Sequence, residues 1–142
     1  MEEKVVIDTS VIIKWFADEE DSGKARLLLD CWWRRELEIV VPELLIYELA
    51  NALRFGKKAP KTAISKIIRD FLSAMPQIYI VNPNIIDLCL NYVFEHGLTI
   101  YDAVYVALAD MLEVPLVTAD LKHHRKKISK NIVYLKDIKR IL

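Results

Sequence analysis

Short apolar runs and helical stripes alternate along the whole chain. The first run, Val5-Val6-Ile7, follows Lys4 and ends abruptly in Asp8-Thr9-Ser10. Such a β-branched run predicts a strand buried on both faces, as in a parallel sheet. Val11 to Phe16 then reads as a short helical turn, and Asp18 to Gly23 as a polar loop. Ser22 suits the cap of a helix with Ala25, Leu28, Leu29 and Trp32 at helical spacing. A second strand covers Leu37 to Val41, and Pro42 suits the first turn of a helix that Gly56 ends after Phe55.

Lys57-Lys58-Ala59-Pro60 breaks the pattern before a helix from Pro60 to Met75, striped by Ile64, Ile67, Ile68, Phe71 and Leu72. Gln77 to Val81 predicts a third strand. Asn82-Pro83-Asn84 opens a helix that runs to His96 and stops at Gly97. Thr99 opens another, with Ile100, Ala103, Val104, Ala107, Leu108, Met111 and Leu112 on one face. Leu116-Val117 is a brief strand ending in Thr118-Ala119-Asp120. A basic stretch leads to the last strand, Ile132 to Leu135. Strands alternating with helices predict an α/β fold, a three-layer α/β/α sandwich on a central parallel sheet. No repeat or linker divides residues 1–142, so one domain is expected.

Composition narrows the function. Lys plus Arg and Asp plus Glu are both 20, so the net charge is zero. That excludes a whole-surface nucleic-acid binder but permits local patches. A hydrophobic share of 54% is high for a small soluble monomer, and predicts that some apolar surface meets another chain. No apolar run is long enough for a membrane span. The acidic start, Met1-Glu2-Glu3, does not read as a signal peptide. Cys31 and Cys89 lack metal or CxxC spacing and read as buried thiols in a reduced cytoplasm. Three glycines and a single glutamine, Gln77, hint at a thermophilic source.

Four acids stand where acids are costly. Asp8 ends a buried strand, and open α/β sheets place ligands beyond that edge. It also suits the cap of the following turn. Asp120 repeats the arrangement after Leu116-Val117-Thr118-Ala119. Glu48 lies at the margin of an apolar stripe, with Leu44, Leu45 and Ala52 one turn away. Asp102 follows Thr99 by three residues, as in a capping box, yet sits among Ile100, Tyr101, Ala103 and Val104. Two like charges about 4 Å apart cost about 1 kcal/mol in water, and about 4 at an effective dielectric near 20. A hard divalent cation would offset that cost. Oxygen donors without His or Cys favour Mg²⁺, or Mn²⁺, over zinc.

With these pieces in place the chain resembles a PIN domain, most closely the VapC type of toxin ribonuclease. The resemblance rests on Val5-Val6-Ile7-Asp8-Thr9-Ser10, Pro42 to Asn51 around Glu48, Gly97-Leu98-Thr99-Ile100-Tyr101-Asp102-Ala103, and Val117-Thr118-Ala119-Asp120, in that order. It implies strand order 3-2-1-4-5 and Mg²⁺- or Mn²⁺-dependent endoribonuclease activity leaving a 5′-phosphate and a 3′-hydroxyl. It implies that Asp8, Glu48, Asp102 and Asp120 are the family's acidic quartet, with Ser10 and Thr118 supporting them. It further implies a homodimer and a small antitoxin whose tail covers the acidic groove. One departure is that Leu121-Lys122-His123-His124-Arg125 follows Asp120, where many relatives carry a further acid and an aromatic residue.

RNA must be drawn past the acids, and two basic stretches are candidates: Arg54 to Arg69, and Lys122 to Lys130. Arg125, Lys126 and Lys127 stand nearest Asp120, and Tyr101 or Tyr105 beside Asp102 could stack a base. His123 and His124 point different ways as neighbours and receive no catalytic role. Trp15, Trp32 and Trp33 read as core or interface. Other readings are an RNA-processing nuclease of the same fold or a non-catalytic binding module. An aspartyl-phosphate phosphatase would want a second acid where Ser10 stands. A receiver-like module leaves Glu48 without a role.

Overall fold

The computed structural model describes residues 3–142; the acidic start at Met1 and Glu2 lies outside the described residues. Five parallel strands form one sheet in the order β3-β2-β1-β4-β5, the expected 3-2-1-4-5. β1 (Glu3–Ile7) is central, flanked by β2 (Leu37–Pro42) and β4 (Leu116–Thr118), with β3 (Gln77–Tyr79) and β5 (Ile132–Tyr134) at the edges. Val5, Val6, Ile7, Ile39, Val40, Val41, Leu116 and Val117 are all buried. Helices must therefore cover both faces, which is why these strands read as unbroken apolar runs.

Helices fill the crossovers: α1 (Thr9–Ile12), α2 (Ser22–Trp33), α3 (Leu44–Asn51), α4 (Lys61–Ser73), α5 (Pro83–His96) and α6 (Ile100–Leu112). A 3₁₀ turn, Ile13–Phe16, continues α1. Asn82 caps α5 by accepting from the Ile85 amide at 2.9 Å, and Gly97 ends it at φ +68°, a left-handed conformation open to glycine. Trp15, Trp32 and Phe71 pack against one another beneath α2 and α4, whereas Trp33 is exposed. Cys31 and Cys89 are free, buried thiols.

Several boundaries differ from expectation. Pro42 ends β2 in register with Tyr79 instead of opening a helix, because the Glu43 amide still bonds to the Tyr79 carbonyl at 3.0 Å. β3 stops at Tyr79, since β2 turns away there and leaves Ile80 and Val81 exposed without a strand beside them. α3 closes in a π-type turn, Ala52–Gly56, where the Lys57 amide reaches the Ala52 carbonyl at 3.1 Å. Ser22 closes the preceding loop by donating to the Ala17 carbonyl at 2.7 Å, so it is not a helix cap. Among the described residues, no helix is long and apolar enough to cross a membrane.

Candidate functional site

The parallel sheet sets where the acids meet. β1 and β4 are hydrogen-bonded neighbours running the same way, so Asp8 and Thr118-Ala119-Asp120 leave the sheet at one edge. α3 brings Glu48 to that edge and the start of α6 brings Asp102.

Asp8 is buried and accepts four hydrogen bonds. Its Oδ1 takes the Ser10 amide at 3.1 Å and the Ser10 hydroxyl; its Oδ2 takes the Thr118 hydroxyl at 2.5 Å and His124 Nδ1 at 2.9 Å. It thus caps α1 while its carboxylate stays at the sheet edge. The two hydroxyls are fixed in turn: Ser10 Oγ accepts from the Ala119 amide at 2.9 Å, and Thr118 Oγ1 from the Asp120 amide at 3.0 Å. These bonds tie the ends of β1 and β4 together.

Glu48 is half-buried. Its Oε1 accepts from the Tyr105 hydroxyl at 2.5 Å and the Thr9 hydroxyl at 3.4 Å. Burial above all, helped by the negative charges of Asp102 and Asp8, raises its pKa against the opposing pull of these two hydrogen bonds. Tyr105 keeps its proton, because burial and the charge of Glu48 push its pKa up. It lies inside the protein, 2% exposed, and cannot stack a base. Asp102 Oδ2 accepts from the Thr99 hydroxyl at 3.2 Å, and the same hydroxyl accepts from the Asp102 amide.

Asp120 is turned toward its own loop. It accepts from the Lys122 and His123 amides at 3.2 and 3.0 Å, and its Oδ2 lies 2.9 Å from His123 Nδ1. Burial favours a higher pKa, but the hydrogen bonds and charge of His123, with the charge of His124, outweigh it and the net shift is downward.

Sequence reasoning missed His124. The ring is 1% exposed and spans the site, with Nδ1 on Asp8 and Nε2 3.0 Å from the Asp102 carbonyl. Each ring nitrogen thus faces an oxygen acceptor, which favours the doubly protonated, charged imidazolium. Burial opposes that charge, but the hydrogen bond and charge of Asp8, with the Asp102 contacts, turn the pKa upward. Only the direction of the Leu121–Arg125 turn could have revealed this, and the sequence does not encode it locally.

The donor set suits a hard cation. Asp8, Glu48 and Asp102 offer only oxygen atoms, the charges of Asp102 and Asp8 act on Glu48, and His124 contacts the Asp8 carboxylate and the Asp102 main chain. Among the described residues no hydrogen bond reaches Glu48 Oε2 or Asp102 Oδ1, so these oxygens are open to a ligand. Among those residues, no three His, Cys, Asp or Glu side chains stand close enough together to make a metal-holding group by themselves. Of the basic residues, Arg125 donates Nη2 to the His96 carbonyl at 3.1 Å, and Lys126 lies 3.6 Å from Asp137 and over the Tyr134 ring. Lys127 and Tyr101 are exposed.

The profile of the PIN domain matches residues 5–128. Ribonuclease VapC1 of Mycobacterium tuberculosis, in two strains, is 36% identical over 83 residues, which are 56% of this chain and 60% of that protein. The match thus spans about three fifths of the relative's length. The fold is shared with a toxin–antitoxin complex from Klebsiella pneumoniae, at a TM-score of 0.71 and 18% identity over 92% of this chain and 97% of that one. It is also shared with PAE2754 from Pyrobaculum aerophilum, at a TM-score of 0.68 and 25% identity over 96% and 93%.

Proposed function

Starting from the fact that the chain belongs to the PIN domain family, we propose that it is a metal-dependent endoribonuclease and the toxin of a toxin–antitoxin pair. The observation that carries the reading is the placement of Asp8, Glu48 and Asp102 about the end of the central strand, where burial above all, and then the charges of Asp102 and Asp8, raise the Glu48 pKa. The similarity to a ribonuclease over 83 residues supports the choice of RNA as substrate.

Asp102 and Glu48, through their open oxygens, and Asp8 beside them would hold Mg²⁺ or Mn²⁺, with Asp120 at the rim. A bound divalent cation supplies two things here, a lower pKa for an attacking water and stabilisation of charge on the phosphate oxygens. Glu48 Oε2, left clear because the Tyr105 and Thr9 hydroxyls occupy Oε1, would complete the cation's ligands or orient the attacking water. Ser10 and Thr118 keep the Asp8 carboxylate in one orientation. Lys127, with Lys126, would draw the phosphate backbone to the rim, and the exposed Tyr101 ring offers a base a stacking face. Arg125 already bonds the end of α5 and has less to give a phosphate.

The exposed apolar side chains Trp33, Phe55, Met75, Ile80 and Phe94 support contact with other chains, a second copy and a small antitoxin. The test is cleavage of a short single-stranded RNA with Mg²⁺ or Mn²⁺, with and without chelator. Wild type should cleave, and Asp8→Asn and Asp102→Asn should lose most of the rate. Cleavage that survives chelator or either substitution would overturn the metal-site reading. Coexpression with a small protein encoded beside this chain should restore growth if the toxin reading holds.

A further inference from the structure

His124 contacts the Asp8 carboxylate and the main-chain carbonyl of Asp102, yet the mechanism above gives it no part. We propose that His124 is the positioning residue of the acidic site, bracing the Asp8 carboxylate against the main chain at Asp102 and so fixing how the two acids face a cation. This rests on the metal-dependent reading of the same site.

The ring is a rigid spacer between two elements that meet only by tertiary packing. One nitrogen lies 2.9 Å from Asp8 Oδ2, just past β1, and the other 3.0 Å from the Asp102 carbonyl in α6. Near-complete burial keeps water from replacing either bond. The turn that carries the ring is tied on both sides. The His124 amide bonds to the Asp120 carbonyl at 3.1 Å, and Arg125 holds the His96 carbonyl. Tyr105 meets the ring edge-on at 6.0 Å between centroids, while its hydroxyl holds Glu48. One wall of the site is thus His124 and Tyr105, each assigned to a different acid. A histidine buried only for packing would not need both nitrogens directed at the residues of the site.

Outer partners of metal-binding carboxylates typically influence metal affinity or activity by about 10- to 100-fold. The experiment compares wild type, His124→Leu and His124→Gln, measuring Mn²⁺ affinity by electron paramagnetic resonance without RNA, then kcat and KM for RNA. His124→Leu should weaken Mn²⁺ binding and lower kcat, each by roughly 10- to 100-fold, with KM changed by less than about threefold. His124→Gln, which still offers Asp8 a donor, should recover part of both. If His124→Leu does not fold, His124→Gln is set against the shorter His124→Asn, and the longer amide should bind Mn²⁺ more tightly.

Unchanged Mn²⁺ affinity and kcat with only a lower melting temperature would make the ring merely structural and overturn the proposal. Removing the ring also removes a positive charge, so tighter Mn²⁺ binding in His124→Leu would show that charge, not orientation, is its effect, and would overturn it too. A wild type that binds no Mn²⁺ would defeat the metal-dependent reading itself, whereas equal binding in wild type and variants would defeat His124 alone.

Discussion

Tyr105 donates its hydroxyl to Glu48 Oε1 at 2.5 Å, joining α6 to α3 across 57 positions of sequence. The bond pulls the Glu48 pKa down against burial and two neighbouring acids. Tyr105→Phe removes only that donor and keeps the ring. It should cost about 1–3 kcal/mol of stability, since a part-buried acceptor loses its bond. The Glu48 pKa should rise further, so the acid limb of the pH–rate profile should move to higher pH. Urea unfolding and a pH–rate series on the same samples test both effects.

Glu48 and His124 both shape stability against pH, with the same sign in different windows. Each has a folded pKa above its ordinary value. The unfolded chain therefore releases each proton at lower pH than the folded one, and stability falls as pH rises through the folded value. For Glu48 the loss begins above the ordinary carboxylate value of 4.5, and for His124 above the ordinary imidazole value of 6.5. In metal-free buffer, Glu48→Gln should flatten the lower window and His124→Gln the upper. Denaturant unfolding from acid to mild base separates them, and a wild-type stability that climbs through both windows would contradict the assigned protonation states.

Metal linkage gives an activity-independent test of the acids. Saturating Mg²⁺ at about 100 times its dissociation constant should add about 2.7 kcal/mol. For a domain of this size that is a rise in melting temperature of roughly 6–10 °C. Asp102→Asn and Glu48→Gln should lose most of the rise, because theirs are the open oxygens. Asp120→Asn should keep more of it, since Asp120 is engaged by its own turn. A full wild-type rise kept in all three variants would show that Mg²⁺ binds elsewhere.

The fold was legible because its strongest signals are local. Three central strands, Val5-Val6-Ile7, Leu37 to Val41 and Leu116-Val117, need cover on both faces, and their unbroken apolar runs say so. Asp8 and Asp120 were visible for the same reason, as charges ending such runs. Glu48 and Asp102 stood out as acids at the edge of apolar stripes. Pro42 and Ile80 were misjudged because strand length depends on the neighbouring strand, which local pattern does not carry. Tyr105 and His124 escaped for a related reason. Their hydrogen bonds reach acids 57 and 116 positions away, and either residue reads as ordinary in its own segment.

Lys127 and Arg125 should separate RNA contact from structure. Lys127 is exposed, while the Arg125 guanidinium donates to the His96 carbonyl at the end of α5. A lysine that meets a phosphate of single-stranded RNA contributes about 0.7 to the slope of log affinity against log salt. Lys127→Ala should therefore weaken RNA binding at low salt, flatten that slope by roughly 0.7, and leave the melting temperature unchanged. Arg125→Ala should do the reverse. It leaves a helix-end carbonyl without its donor, costing about 1–2 kcal/mol, with little change in slope. Filter binding of a catalytically inactive Asp8→Asn background across a salt series, with melting curves of each variant, reads both quantities. A steeper loss of salt dependence in Arg125→Ala than in Lys127→Ala would place the RNA path on the other side of the turn.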